Sequence, residues 1–213
     1  MSRALTVNNL YQKRYKTFPF TGIWLEVFGE PTTAGIWIIY GKEKNGKTWG
    51  TLLIASYLSE FTTVLYISAE EGTDKEFQEA CKRAYIDPQN KQLKFTEYES
   101  LEEIYERLKS RKAPKVVVLD NLTIYNEELK ANGIKKLKQD FPNTLFLCVA
   151  HEERNKPYTA SANMASKLAK VVIRAKGLLL TVGGRCPGGT LLVDEDKAML
   201  FHGTEIKKSK KLN

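Results

Sequence analysis

What this chain has little of narrows the field first. Its three cysteines, Cys81, Cys148 and Cys186, are odd in number, far apart and in no CxxC spacing. That argues against a disulfide framework or a cysteine-built zinc site and favours a reducing, cytoplasmic setting. Long apolar runs are also missing. The longest stretch without a charge, residues 48–59, falls well short of the about 20 apolar residues needed to cross a bilayer, so no membrane span is expected. The N-terminus is basic but has no apolar h-region, so no secretory signal is expected either. There is no internal repeat and no linker, and the sole low-complexity segment is the Lys-rich C-terminal end.

Acidic residues are absent from residues 1–20, which hold Arg3, Lys13, Arg14 and Lys16. Residues 203–213 set Lys207, Lys208, Lys210 and Lys211 against Glu205 alone. These two ends therefore account for most of the net charge of +8, and the body between them is nearly neutral. Basic ends on a neutral body suit accessory contact with a polyanion; solvated tails are the alternative. With 42% hydrophobic and 27% charged residues, a chain of 213 residues is long enough to bury a core of its own. Disorder is excluded, because aliphatic and aromatic residues recur along nearly the whole length.

Apolar runs rich in β-branched and aromatic residues alternate with segments of helical period, the pattern of a mostly parallel α/β sheet flanked by helices. Strands are expected at residues 35–40 (GIWIIY), 63–68 (TVLYIS), 93–95, 115–120 (KVVVLD) and 144–150 (TLFLCVA). Helices are expected at 47–59, 74–85, 100–111, where SLEE reads as a capping box, and 126–141. Residues 151–161 (HEERNKPYTAS) read as a polar, mobile loop. Short strands at 171–174, 178–182, 190–193 and 199–202 then predict an antiparallel C-terminal edge.

The strongest motif is Gly41, Lys42, Glu43, Lys44, Asn45, Gly46, Lys47 and Thr48, which satisfies GxxxxGK[ST] between an expected strand and an expected helix. Its glycines permit a tight loop whose N–H groups can wrap phosphates, and the helix N-terminus adds its positive dipole end. Lys47 would reach the β- and γ-phosphates of a nucleotide and Thr48 would hold Mg²⁺. A Gly-rich turn with an incidental Lys is the alternative. Asp120 ends an apolar strand and so projects at the carboxyl edge of the sheet, where it matches an acid that orients Mg²⁺ through water. A turn-forming Asp is the other reading. Glu70 and Glu71 (ISAEEG) follow the second strand, placing a carboxylate where it can activate water, although at least one of them simply begins the loop. His151, one residue past its strand, is placed to hydrogen-bond a γ-phosphate or merely to cap or meet solvent.

Taken together, the P-loop strand, ISAEEG, VVVLD, LCVAHEE and the terminal GGRCPGG resemble the RecA-like P-loop ATPase core of recombinases, RadA-type proteins and DnaB-type helicases, over about residues 18–203. The lead-in FTGIWLEVFGEPTTAGIWIIYG resembles their approach to the P-loop. The resemblance implies a basic segment at 1–17, an ATPase domain at 18–203 and a tail at 204–213. It also implies ATP and Mg²⁺ as cofactors, Glu70 as catalytic base, His151 as γ-phosphate sensor and Arg185 as an arginine finger for a neighbouring subunit's ATP. Position 183 is Gly where the family carries Lys. A homo-oligomer with ATP at its subunit interfaces and a nucleic-acid partner, DNA favoured, follow from the same likeness. The DNA contacts would be Arg154, Lys156 and Tyr158 after His151, with Lys207, Lys208, Lys210 and Lys211 adding affinity. A nucleotide-dependent regulator or assembly factor acting on protein alone is the second reading. A small-molecule P-loop kinase is the third, opposed by a terminal hairpin where a lid helix would stand.

Overall fold

In the computed structural model, residues 4–130 and 132–203 are described, together with the backbone of 210–211. The apolar runs form a mostly parallel sheet. Its strands are β1 (Gly35–Gly41), β2 (Val64–Ser68), β3 (Leu93–Thr96), β4 (Val116–Asp120), β5 (Leu145–Glu153), β6 (Lys156–Pro157), β7 (Val171–Lys176), β8 (Leu179–Gly184), β9 (Gly189–Leu192) and β10 (Lys210–Lys211). The helices are α1 (Val7–Tyr11), α2 (Gly22–Phe28), α3 (Lys47–Ser59), α4 (Lys75–Arg83), α5 (Leu101–Lys109), α6 (Asn126–Leu129), α7 (Gly133–Asp140), α8 (Ala160–Leu168) and α9 (Glu195–His202). The strand order is β10-β9-β8-β7-β1-β5-β4-β2-β3, with β6 paired to β5. From β7 through β3 neighbouring strands run parallel, and β8 and β9 add the antiparallel edge.

Strand alternation divides the core into two faces. Trp37 and Ile39 of β1 point toward α2, α3 and α4, whereas Ile36 and Ile38 point toward α5, α6, α7 and α8. On the first face an aromatic cluster holds α2 and α3 against the sheet: Trp24 stacks on Tyr57 at 4.4 Å, and Phe28 stacks on Trp37 at 5.4 Å. Phe28 and Trp37 are fully buried, which contributes about 1.5–3 kcal/mol for each ring. The expected capping box is present, with the Ser100 amide donating to Glu103 at 2.7 Å and the Glu103 amide donating to the Ser100 hydroxyl at 3.3 Å. Among the described residues no helix is long and apolar enough to cross a membrane.

Three expectations need correction. Residues 199–202 are helical, because Asp194 caps α9 by accepting from the Lys197 amide at 3.0 Å and two acids occupy the first turn. The helix expected over 126–141 is two helices, α6 ending where Lys130 takes φ of 42° and α7 starting at Gly133. Residues 151–161 are not a mobile loop. β5 runs on to Glu153, turns through Arg154 and Asn155 at positive φ, returns as β6, and leads into α8, whose N-cap Thr159 accepts from the Ala162 amide at 3.1 Å. The physical reason lies two strands away, beyond the end of β1: Arg174 of β7 grips Glu152 with two hydrogen bonds of 2.9 and 2.8 Å and holds Asn155 at 2.6 Å.

Candidate nucleotide site

The carboxyl ends of the parallel strands bring the candidate residues together. β1 ends at Gly41, which is in register with His151 on one side and Ala175 on the other. A Cβ at Gly41 would collide with the Ala175 carbonyl, so the strand can pass this closely to β7 only as glycine. The loop then turns through Lys44 (φ 58°) and Gly46 (φ 87°), the latter serving as N-cap of α3. No side chain caps that helix end, so its N–H donors remain for another acceptor.

Asn45 fastens the loop to the β7–β8 turn. Its amide nitrogen donates to the Glu43 carbonyl at 2.8 Å, and its side-chain and backbone oxygens accept from the amides of Gly177 at 2.8 Å and Leu178 at 3.2 Å. Lys42, Glu43 and Lys44 are exposed, and Glu43 and Lys44 face the same cleft as Lys47. Lys47, only 8% exposed, folds back and donates to the Lys42 carbonyl at 3.0 Å, while Thr48 follows it on the cleft wall. Burial draws the Lys47 ammonium below its ordinary pKa, opposed by Asp120 and Glu70. An ammonium pulled out of water beside uncapped helix donors is a donor set suited to phosphate oxygens.

Asp120 closes β4, buried, and accepts from the Tyr66 hydroxyl. Burial pushes its carboxyl up to about 7, reinforced by Glu71 and Glu70 and opposed by the Tyr66 hydrogen bond and by Lys47. Glu71 is likewise raised, by its withdrawal from water first and then by Glu70 and Asp74. A cation between these carboxylates would relieve both. Were a Mg²⁺ ion bound beside phosphates here, the Thr48 hydroxyl and the Asp120 carboxylate are the groups that would hold it, and it would supply positive charge. Among the described residues no three carboxylate, thiol or imidazole groups gather to hold a metal by themselves.

Asn121, which the sequence reading missed, organises the rest. Its side-chain oxygen accepts from the Thr123 amide at 2.7 Å, which turns the nitrogen toward Glu70 and His151. That nitrogen donates to Glu70 Oε2 and lies 3.0 Å from His151 Nε2, itself 3.3 Å from Glu70 Oε1. The one available signal was position, directly after a strand-end Asp.

A cleft of about 610 Å³ runs from Lys47, Thr48, Glu70, Asp120 and His151 to Trp49, Arg83 and Lys197. Other expected residues lie outside it. Arg154, Lys156 and Tyr158 are exposed on the β5–β6 hairpin, where the Tyr158 amide donates to the His151 carbonyl at 2.9 Å. Arg185 follows β8 at the opposite edge of the sheet. Its amide donates to the Lys170 carbonyl at 2.6 Å, and it sits roughly 16 Å down the strands from the register of Gly41. It therefore cannot reach the cleft of its own chain. Lys207 and Lys208 fall outside the described residues; Lys210 and Lys211 form β10, parallel to β9.

A mostly parallel sheet with a P-loop after its first strand, acids at the neighbouring strand ends and an antiparallel edge defines the RecA-like α/β class. Among solved structures the chain matches the crystal structure of the flagellar accessory protein FlaH from Methanocaldococcus jannaschii, with 16% sequence identity and a TM-score of 0.52 over 73% of this chain and 81% of that one. At that identity the likeness is one of fold. No protein-family model and no curated protein matches the chain.

Proposed function

We propose that this protein is a Mg²⁺-dependent ATPase that couples hydrolysis to a nucleic-acid transaction, with DNA as the favoured partner. The observation that carries the ATPase reading is the meeting of Lys47, Asp120, Glu70 and His151 in one cleft at an uncapped helix N-terminus, with buried Asn121 against Glu70 and His151. In this reading Lys47 balances charge on the β- and γ-phosphate oxygens in ground and transition states. Glu70 accepts a proton from the attacking water, and Asn121 holds that carboxylate in place until substrate arrives. Mg²⁺, held through Thr48 and Asp120, supplies further positive charge at the phosphates. His151 reads the γ-phosphate and passes its state along β5 to the hairpin bearing Arg154, Lys156 and Tyr158. Arg185 serves a neighbouring subunit.

A nucleotide-dependent assembly factor that touches only protein is the second reading, and the likeness in fold to a flagellar accessory protein favours it. ATP turnover by purified protein with no addition, single-stranded DNA, duplex DNA or RNA separates the two. Stimulation by a nucleic acid supports the first; turnover indifferent to all of them, with no binding at low salt, supports the second. Lys47→Ala is the control and is expected to abolish turnover in either case. Unchanged activity in that variant would remove the ATPase reading.

A further inference from the structure

The cleft has two chemically different ends. Phosphate-directed groups occupy one; the other is built around an indole. Trp49 directly follows Thr48 in the first turn of α3, and two cations from distant parts of the chain lie over its ring. The Arg83 guanidinium, from the end of α4, is 5.5 Å from the ring centroid, and the Lys197 ammonium, from α9, is 5.3 Å from it. All three side chains line the cleft and also a smaller adjoining depression of about 390 Å³. Lys197 Nζ lies 3.4 Å from Asp194 Oδ2, and Asp194, Glu195 and Asp196 line the adjoining depression along with the two cations. A flat aromatic face with a guanidinium and an ammonium at its ring complements a ligand that is itself flat, aromatic and attached to an anion.

Position narrows the ligand further. Trp49 directly follows Thr48 and lines the same cleft as Lys47, so a ligand whose phosphates sat at Lys47 and the start of α3 would have the indole within the same cavity. We propose that Trp49 is the platform on which the base of a purine nucleotide stacks, with Arg83 and Lys197 bracketing it. The proposal rests on the P-loop reading above and adds a determinant of base preference to it. Stacking gains with ring area, so purine nucleotides bind more tightly than pyrimidine nucleotides. One of the two cations leaves the ring face as the base takes its place.

Calorimetric titration of ATP, UTP and inorganic tripolyphosphate, each with Mg²⁺, into wild type, Trp49→Leu, Trp49→Phe and Lys47→Ala tests this. Expected are tighter binding of ATP than UTP by the wild type and a roughly tenfold or greater loss of ATP affinity in Trp49→Leu. Tripolyphosphate affinity should be unchanged in that variant, Trp49→Phe should retain most ATP affinity, and Lys47→Ala should lose all three ligands. Unchanged ATP affinity in Trp49→Leu, or an equal loss for ATP and tripolyphosphate, overturns the platform and leaves the P-loop reading standing. Failure of the wild type to bind either ATP or tripolyphosphate overturns both. Should Trp49→Leu not fold, indole fluorescence decides: ATP, unlike tripolyphosphate, should quench the emission that wild type has and Trp49→Phe lacks, and equal quenching by both would overturn the platform.

Discussion

The Asn121 side-chain amide donates to the carboxylate of Glu70, residues 51 positions apart, while the same nitrogen lies 3.0 Å from His151 Nε2. Three strand ends are thereby joined through one amide group, and the proposed base and the proposed sensor share a partner. A carboxylate so held is oriented before any substrate binds.

Glu70→Gln should therefore keep ATP affinity near wild type and lower turnover at least about 100-fold, since the amide cannot take a proton. Glu71→Gln should stay within a few-fold, because Glu71 has no contact with Asn121 or His151 among the hydrogen bonds of this cluster. Binding titrations beside single-turnover hydrolysis check both. An essential Glu71 would exchange the two roles.

Asp120 predicts a pH signature in the protein free of nucleotide and divalent cations. Its carboxyl is raised from 3.8 to about 7 in the fold, so between those values the unfolded chain has lost a proton that the folded chain keeps. Stability from this group is full below pH 4, declines as pH rises to 7, and is level above that. Asp120→Asn removes the decline. Its melting temperature should exceed wild type by about 3 °C or more at pH 8 and by much less at pH 4.5, while Mg²⁺-dependent turnover is lost. Thermal unfolding followed by circular dichroism across that pH range measures it.

Arg185 lies at the sheet edge opposite the P-loop, so any role in hydrolysis requires a second copy of the chain. Arg185→Ala and Lys47→Ala proteins should each be inactive, and mixing them should restore a fraction of turnover, because some mixed interfaces pair an intact P-loop with an intact guanidinium. Absence of rescue, together with a monomeric mass at every protein and nucleotide concentration, would count decisively against it.

The hairpin offers a fourth test. Replacing Arg154, Lys156 and Tyr158 together by Ala should leave basal ATPase intact and abolish its stimulation by single-stranded DNA. Deleting residues 204–213 should instead weaken DNA binding and flatten its salt dependence, with stimulation recovered at high DNA concentration. Turnover and DNA-binding titrations at several salt concentrations separate the two effects.

Local chemistry made much of this architecture legible in the sequence. The P-loop could be placed between β1 and α3 because Gly41, Gly46, Lys47 and Thr48 act within a single turn of chain. The buried strands showed themselves as apolar runs rich in β-branched residues, and the capping box of α5 needed just Ser100 and Glu103. The capped start of α9 was readable too, at Asp194, but the apolar run of residues 198–201 suits a strand equally well on period alone. Other features depend on residues that meet only after folding. Glu152 extends β5 because Arg174, 22 residues on, lies two strands over at the right height, past the end of β1; without that partner HEERNK is simply a polar run. Asn121 finds Glu70 and His151, and Trp49 finds Arg83 and Lys197, through strand order and helix packing. Sequence spacing encodes contacts within a turn or a helix face, whereas contacts between strand ends are set by which strands become neighbours, and that is decided by the packing of the whole sheet.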